Sequence, residues 1–349
     1  MSPKEDVQFL ALLVHHGHTD RDQAEQLLAG LRDGAELDGL LVDRLGWDPG
    51  HVAALRRTRA GEIPEIPGYT IMDRLGTGGT ANVFRAREQK SGRLLALKVL
   101  KPECVGVAAT RKSFVTEARI LERLEHPGLV RGYGVSKSGR TYFSRLELID
   151  GRTLLEILDD GAALDEAAAL RAVIEVAETL QYLADDGIVH RDVKPGNIML
   201  SSSGRMKLID LGFAAEGQKA TSPEDSAVGT VAYLSPEQAR GGAFADVRSD
   251  IYSLGVTLFH LVVGRLPFED SDDREMLRMQ IMQSLSSPEL KGRGLSPHLH
   301  YFVEKMMAKD ADVRYQDFGE LIEDIRDNLE GRESLDYSQG ARPPRRRRR

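Results

Sequence analysis

The pattern of apolar residues changes at two points along the chain, near residues 69 and 165, and these changes limit the fold more than any other feature. After residue 69 the chain alternates short runs typical of β-strands with turn residues, interrupted by one helical stretch. The strand-like runs are residues 69–75, 82–87, 94–100, 130–135 and 141–149, and the helix lies near 110–124. After residue 165 the spacing is mostly helical. The predicted helices there are 166–186, 250–263, 297–307 and 318–329. We therefore predict an α+β fold with two lobes, β-rich then α-helical, over residues 69–330.

The region before this domain has a different character. Residues 1–60 are rich in helix formers and contain a weak repeat, in which a Leu-Leu-Val run is followed by an aspartate. The run at 12–14 precedes Asp20, and the run at 40–42 precedes Asp48. Each copy predicts an apolar helix, a loop and a second helix capped by the aspartate. We expect a small all-α module, built from two helical hairpins.

Two short segments border the predicted α+β domain. Residues 61–68 (GEIPEIPG) contain two prolines and two glycines, so they cannot continue a helix and predict a linker. Residues 331–349 predict a disordered basic tail that ends in five consecutive arginines, Arg345–Arg349. This run would suit contact with a polyanion. The alternative is a solvated end, because no aromatic residues alternate with the arginines to stack on bases.

Composition narrows the class of protein. The chain is 41% hydrophobic and 29% charged, which is typical of a globular domain with a full core. The net charge of −7 argues against nucleic-acid binding by the folded part. The single cysteine, Cys104, excludes an intrachain disulfide and favours a reducing compartment. The start shows no secretory pattern, and the most apolar run, 251–263, is too short for a membrane span. We expect a cytoplasmic protein.

A glycine-rich segment follows the first predicted strand. Residues 75–85 read LGTGGTANVFR, and glycines at 76, 78 and 79 would let backbone N–H groups approach phosphate oxygens. Taken alone, the segment also fits a plain hairpin turn. The next residues continue as a strand, so the helix that a dinucleotide fold or a P-loop requires is missing.

A lysine lies in the third predicted strand, where burial without an anion would be costly. Lys98 is flanked by apolar residues on both sides, and Glu117 in the next predicted helix is a candidate partner. Either residue alone fits a solvated surface charge. Their occurrence behind a glycine-rich loop favours a functional pair.

The most informative segment is residues 188–200, IVHRDVKPGNIML, followed by KLIDLG at 207–212. It places Asp192 and Asn197 on one loop and a second carboxylate, Asp210, on the next turn. Here the chain resembles the protein-kinase superfamily, most closely the bacterial serine/threonine kinases of the eukaryotic type. The resemblance extends over about residues 69–329. It includes SDIYSLG and VGTVAYLSPE, and it implies that Arg314 pairs with Glu237, the last residue of VGTVAYLSPE.

The resemblance implies the activity and its site. Asp192 would accept the proton of the substrate hydroxyl, with Lys194 and Asn197 beside it, while Asn197 and Asp210 would hold Mg²⁺, with Mn²⁺ possible. Leu146 would occupy the gatekeeper position. The implied ATP-binding residues are Leu75, Gly76, Thr77, Gly78, Gly79, Val83, Ala96, Lys98, Glu117, Leu146, Glu147, Ile149 and Met199.

Specificity and regulation follow from the same resemblance. Lys194, two residues after the catalytic aspartate, is typical of serine/threonine kinases, and Thr230 would contact both. Arg191 would pair with a phosphate on the activation loop. The candidate regulatory hydroxyls are Thr221, Ser222 and Ser226. We expect protein substrates and autophosphorylation, with a possible dimer for phosphorylation in trans.

Three positions depart from the family pattern without changing a charged group. Ala81 replaces the third glycine, Leu211 replaces a phenylalanine, and Ser235 replaces an alanine. The leading interpretation is an active serine/threonine protein kinase. The alternatives are a pseudokinase that binds nucleotide as a scaffold, and an adaptor that acts through its helical module and tail.

Overall fold

The fold is described from a computed structural model, which describes residues 3–15, 18–32, 35–59, 64–211, 231–241, 245–285 and 295–331. The chain forms two compact units. The first contains residues 1–125 and Arg131–Ile149, and the second contains His126–Val130 and the residues from Asp150 onward.

The first unit begins with four helices, α1 (Pro3–His15), α2 (Arg21–Arg32), α3 (Leu37–Leu45) and α4 (Pro49–Arg59). Their apolar sides share one core. Its members include Phe9, Leu10, Leu13, Leu27, Leu37, Leu41 and Val52. Asp20 accepts a hydrogen bond from the Gln23 amide at 2.8 Å, and Asp48 accepts one from the His51 amide at 3.1 Å. Each of these two aspartates thus caps the helix that follows it.

A five-stranded antiparallel sheet makes up the rest of this unit. Its strands are β1 (Tyr69–Thr77), β2 (Ala81–Glu88), β3 (Leu94–Leu100), β4 (Gly132–Ser138) and β5 (Thr141–Leu146), in the order β1-β2-β3-β5-β4. Two helices, α5 (Pro102–Val105) and α6 (Ala108–Arg123), follow β3. Helix α6 lies close to β4 at Gly132, where a Cβ atom would lie 2.7 Å from the backbone of Leu121. Glycine at this position lets α6 pack directly on β4.

One face of this sheet forms an apolar core. Phe84, Leu97 and Phe143 are buried there, one from each of three neighbouring strands. Ile66 is only 2% exposed and joins the same core, although the sequence interpretation places it in a linker. The packed part of the chain therefore begins ahead of β1, because burial of a branched apolar side chain lowers the free energy of the folded state.

The second unit combines a small sheet with helices. The antiparallel strands are β6 (Gly151–Thr153), β7 (Ile198–Ser201) and β8 (Met206–Leu208). The helices are α7 (Leu154–Asp159), α8 (Glu166–Asp185), α9 (Pro236–Ala239), α10 (Val247–Val263), α11 (Asp273–Met282), α12 (Pro297–Met306) and α13 (Phe318–Leu329). Short 3₁₀ turns occupy Pro195–Asn197, Val231–Tyr233 and Ala311–Val313.

Helix α10 is the centre of the second unit. It is apolar on almost every side, and its buried residues include Ile251, Leu254, Leu258 and Phe259, each with no exposed surface. A helix that is apolar all round is stable only when other elements surround it. Polar side chains are also buried on α10, and these hold the neighbouring loops.

The predicted α+β class is confirmed, with a sheet-rich part, a helix-rich part and helices ahead of both. Most elements match the prediction to within three residues. The fourth strand begins at Gly132 rather than at residue 130, and the fifth ends at Leu146 rather than at 149. Within the part of the chain that the structure describes, no helix has the length and apolarity needed to cross a bilayer.

Candidate active site

The first unit carries a buried ion pair between β3 and α6. The Nζ atom of Lys98 lies 2.7 Å from Oε1 of Glu117, and the two side chains are 12% and 9% exposed. A buried ammonium group is costly without a charged partner. Glu117 therefore stabilises the charged form of Lys98 and fixes the direction in which its amine points.

Strand register places three of the predicted ATP-binding residues on the same sheet face as Lys98. Lys98 lies opposite Val83 of β2 and Ser144 of β5, and Ala96 lies opposite Leu146. Residues directly opposite in antiparallel strands point to the same side, as do residues two apart in one strand. Val83, Ala96, Leu146 and Lys98 thus share one face. Phe84, Leu97 and Phe143 face the other way, into the apolar core.

The glycine-rich segment is the turn between β1 and β2. Gly78 donates its N–H to the Ala81 carbonyl at 2.8 Å. A Cβ atom at Gly76 or Gly79 would meet nothing within 4 Å, so the backbone there borders open space. Leu75 and Thr77 are exposed on the same segment. This is an arrangement in which N–H groups remain accessible to a phosphate.

The structure gives a physical reason for the alanine that departs from the glycine pattern. Ala81 is 4% exposed and packs with Leu100 and Phe114. Its methyl group belongs to the core of the unit. The substitution therefore leaves the open part of the turn unchanged.

The remaining first-unit candidates lie at the end of β5. The Glu147 amide donates to the Arg131 carbonyl at 2.8 Å, and the Glu147 carboxylate accepts from the Arg131 amide at 3.2 Å. Glu147 and Ile149 are half-buried. These bonds order the chain just after the strand.

In the second unit, the two carboxylate oxygens of Asp192 have different surroundings. Its Oδ2 lies 2.9 Å from the Lys194 amine and accepts from the Asn197 amide at 2.8 Å. Its Oδ1 is buried and has no hydrogen-bond partner among the described residues. One oxygen is therefore held in place while the other can accept a proton, which is the arrangement that a general base requires.

The backbone before Asp192 is held in an unusual conformation. Arg191 is the one described non-glycine residue with positive φ, at 67°. The amides of His190 and Arg191 donate to the two oxygens of Asp250 at 2.8 and 2.7 Å. Asp250 is buried on α10, so the central helix holds this turn directly. Strained conformations persist only where the surroundings determine them strongly.

Burial sets the proton affinity of these groups. It raises the pKa of Asp192 to about 6, with the nearby charge of Lys194 lowering the pKa and that of Asp210 raising it. Burial lowers the pKa of His190 to about 4, so its ring is neutral at pH 7. Neutral Nδ1 of His190 accepts the Asp192 amide at 3.2 Å. Asp192 is thus ionised at neutral pH with a pKa close enough to 7 for proton transfer.

The predicted oxygen ligands for a cation, Asn197 and Asp210, lie on two adjoining segments. Asp210 follows β8, and the Ile209 amide donates to the Asn197 carbonyl at 3.0 Å, which joins the two segments. Asn197 donates through Nδ2, so Oδ1 is the end of its amide that can ligate a metal. Among the described residues no three His, Cys, Asp or Glu side chains cluster. A carboxylate with an amide oxygen fits Mg²⁺, which is typically completed by water and substrate phosphate.

The segment after residue 230 is anchored by a buried ion pair. Arg314, whose side chain has no exposed surface, lies 2.7 Å from Glu237, and Ser249 also donates to Glu237 at 2.6 Å. Burial raises the pKa of Glu237, but the hydrogen bonds and charge of Arg314 outweigh it and lower the pKa to about 2. This is the glutamate–arginine pair that the resemblance implies.

The other predicted site residues lie on the small sheet of the second unit or fall outside the described residues. Met199 is half-buried on β7, in the second unit. The predicted regulatory hydroxyls fall outside the described residues: Thr221, Ser222, Ser226 and Thr230. The sequence interpretation missed Ser253, which donates to the Tyr233 carbonyl at 2.8 Å, and Gln280, which donates to the Ala232 carbonyl. No local pattern marks these contacts, because the partners are far apart in sequence.

Comparison with known proteins gives consistent matches. A family model described as "Protein kinase domain" matches residues 69–324. A probable serine/threonine-protein kinase of Streptomyces coelicolor is 34% identical over 273 residues, covering 75% of this chain and 40% of the relative. The serine/threonine-protein kinase PknB of Mycobacterium tuberculosis is 32% identical over 264 residues, covering 74% and 42%. A probable serine/threonine-protein kinase of Clostridium perfringens is 32% identical, covering 74% and 38%. The chain thus spans about 40% of the length of these curated relatives.

Proposed function

The chain belongs to the protein kinase domain family, and we propose that it transfers the γ-phosphate of ATP to serine and threonine hydroxyls of proteins. The observation that carries the proposal is the state of Asp192. This buried carboxylate has one oxygen held by Lys194 and Asn197 and a second oxygen without a partner among the described residues. The kinase names of the relatives support the same activity.

Asp192 acts on the hydroxyl of the substrate. Its Oδ1 orients the hydroxyl and accepts its proton as the hydroxyl oxygen bonds to the γ-phosphorus and the bond from that phosphorus to the β–γ bridging oxygen breaks, which releases ADP. Lys194 bonds to Oδ2 and favours the ionised carboxylate that can take the proton. Because phosphoryl transfer depends mainly on alignment and charge neutralisation, fixing this carboxylate is the main task of the loop.

Lys98 binds the phosphates of ATP. Its amine is charged, buried and oriented by Glu117, so it meets phosphate oxygens with little further loss of side-chain freedom. Open backbone in the β1–β2 turn supplies N–H donors to the same group. Val83, Ala96 and Leu146 contribute apolar surface for the adenine, and a contribution from Met199 stays a prediction.

A divalent cation neutralises charge on the phosphate oxygens when it is bound. Asp210 and Asn197 would hold it, and we propose Mg²⁺, with Mn²⁺ as an alternative occupant. The role of these two side chains is to present oxygen ligands next to Asp192. The hydrogen bond from the Asn197 side chain to the Asp192 carboxylate joins a proposed metal ligand to the proposed base.

The proposal extends to specificity and regulation. Lys194 supports serine and threonine as acceptors. Arg191 would receive a phosphate placed on Thr221, Ser222 or Ser226, in trans from a second copy of the chain. The single cysteine, Cys104, supports a cytoplasmic location. Contact of Arg345–Arg349 with a polyanion stays a prediction.

Labelling with ATP tests the proposed activity. Wild type and Asp192→Asn are incubated with radiolabelled ATP, Mg²⁺ and a generic basic protein, and the labelled amino acids are identified. We expect label on serine and threonine with wild type, and loss of at least about 100-fold with Asp192→Asn. Asp273→Asn, an exposed carboxylate on α11, is the matched control and should label normally. Equal labelling by wild type and Asp192→Asn would refute the role of Asp192.

Metal binding has a test that does not depend on turnover. Thermal stabilisation by a non-hydrolysable ATP analogue is compared with and without Mg²⁺, in wild type and in Asp210→Asn. We expect the Mg²⁺-dependent part of the stabilisation to disappear in the variant, because a ligand that binds only the folded state raises its stability. An unchanged dependence on Mg²⁺ would remove Asp210 from the metal site.

A further inference from the structure

The side chain of Gln238 bridges two segments of the second unit. Its Nε2 donates to the carbonyl of Arg191 at 2.9 Å, and its Oε1 accepts from the amide of Ser235 at 3.1 Å. The orientation of the amide follows from chemistry, because a carbonyl can only accept and an N–H can only donate. Gln238 also completes the cap of α9, where its backbone N–H donates to the Ser235 hydroxyl at 3.3 Å.

The carbonyl that Gln238 contacts belongs to the strained turn before Asp192. Arg191 has φ of 67°, a region that residues with a side chain rarely occupy. The peptide between Arg191 and Asp192 is held on both sides. Its carbonyl accepts from Gln238, and its N–H donates to Nδ1 of His190 at 3.2 Å.

Asp250 holds the preceding part of the turn but does not reach this peptide. It accepts from the amides of His190 and Arg191, on the other side of the Arg191 α-carbon. Gln238 therefore supplies a restraint that Asp250 does not. Left-handed backbone at a non-glycine residue costs free energy, so removing a restraint favours relaxation of the peptide.

The segment that carries Gln238 is itself fixed to the helices of the second unit. Ser253 donates to the Tyr233 carbonyl at 2.8 Å, and Glu237 pairs with Arg314. Through Gln238, this fixed segment therefore restrains the backbone next to Asp192.

We propose that Gln238 is a positioning residue for phosphoryl transfer, which orients Asp192 by holding the Arg191 carbonyl. The proposal rests on the proposed kinase activity of the same site. Gln238 does not contact substrate in this role and acts through the peptide before the catalytic carboxylate. Loss of its Nε2 donor should lower kcat and leave the KM for ATP and for the acceptor peptide nearly unchanged.

Three variants separate this role from helix capping. Gln238→Glu keeps the oxygen that accepts from the Ser235 amide but replaces the donor that faces Arg191. Gln238→Met removes both polar ends without adding charge. Ser235→Ala removes the hydroxyl of the cap and keeps the contact between Gln238 and Arg191. We expect kcat to fall about tenfold in both Gln238 variants, and to stay within about twofold of wild type in Ser235→Ala.

The outcomes are distinguishable from failure of the proposed function. If wild type does not phosphorylate, the proposed function fails, and Gln238 is then judged by hydrogen exchange of the peptide that contains the Asp192 amide. That exchange should be faster in Gln238→Glu than in wild type and unchanged in Ser235→Ala. An active wild type with normal kcat in both Gln238 variants would overturn the inference. A loss of kcat in Ser235→Ala as large as in Gln238→Glu would also overturn it, and unchanged exchange would contradict it directly.

Discussion

The buried pair between Arg314 and Glu237 leads to a quantitative prediction about stability. The guanidinium of Arg314 has no exposed surface and donates to Glu237 at 2.7 and 3.0 Å. It also donates to the carbonyls of Ala308 at 2.7 Å and Arg248 at 2.9 Å. The substitution Arg314→Met keeps much of the side-chain volume and removes every one of these bonds. It leaves Glu237 without its charged partner.

The pKa of Glu237 gives the size of the effect. Arg314 outweighs the burial of Glu237 and lowers its pKa from 4.5 to about 2. Each pKa unit corresponds to about 1.4 kcal/mol, so the folded surroundings of Glu237, chiefly Arg314 with a hydrogen bond from Ser249, favour its ionised form by roughly 3 kcal/mol net of burial. Removing one partner of a buried ion pair typically costs about 3–5 kcal/mol. We therefore expect Arg314→Met to lower the free energy of unfolding by about 3–5 kcal/mol at pH 7.

Urea denaturation of wild type and Arg314→Met between pH 3 and 7 measures this difference. Since the folded pKa of Glu237 lies below the unfolded value, the contribution is complete above about pH 4.5 and is lost as the pH falls toward 2. The difference between the two proteins should therefore shrink at low pH. Arg278→Met is the control, because Arg278 and Glu275 form an exposed pair and stability should not change measurably. A loss below about 1 kcal/mol at pH 7, or a difference that grows at low pH, would refute the reasoning.

Three further predictions concern catalysis and packing. Because Asp192 must be ionised to accept a proton and its pKa is about 6, kcat should fall about tenfold per unit below pH 6 and level off above pH 7; a flat profile down to pH 5 would contradict this role. Lys98→Met should reduce phosphorylation far more than Glu117→Gln, since Glu117 only orients the amine, and steady-state assays at saturating ATP should rank them in that order. Gly255→Ala should destabilise the protein by about 1–3 kcal/mol, because the new methyl would lie 2.7 Å from a side-chain carbon of α12, whereas Gly39→Ala, with open space around it, should not. Calorimetry that shows both alanine variants equally stable would exclude the close packing at Gly255.

Most of the fold was predictable because its elements carry local signals. A short strand-type run next to turn residues predicted β3 at its observed bounds, and helical spacing predicted α13 at its observed bounds. Burial of Ile66 was not predictable, because a single apolar residue between prolines does not reveal what it packs against.

Some contacts of the candidate site were likewise predictable from the sequence, and others were not. The predicted burial of Lys98 called for an anionic partner, and Glu117 behind the glycine-rich loop was the candidate for it. The resemblance that Asp192, Asn197 and Asp210 carry implied phosphoryl transfer before any contact was known. By contrast, nothing near Gln238 in sequence indicates the Arg191 carbonyl, 47 residues away.

The sequence by itself determined which elements form and which residue types are present for chemistry, because periodicity, turn residues and buried charge act over short stretches of chain. Only the tertiary structure decided which oxygen of Asp192 is held and which can accept a proton. It also decided that Arg191 adopts left-handed backbone and that the pKa of Asp192 rises to about 6. These properties depend on burial and on partners such as Asp250, which lie far away along the chain and come close only on folding.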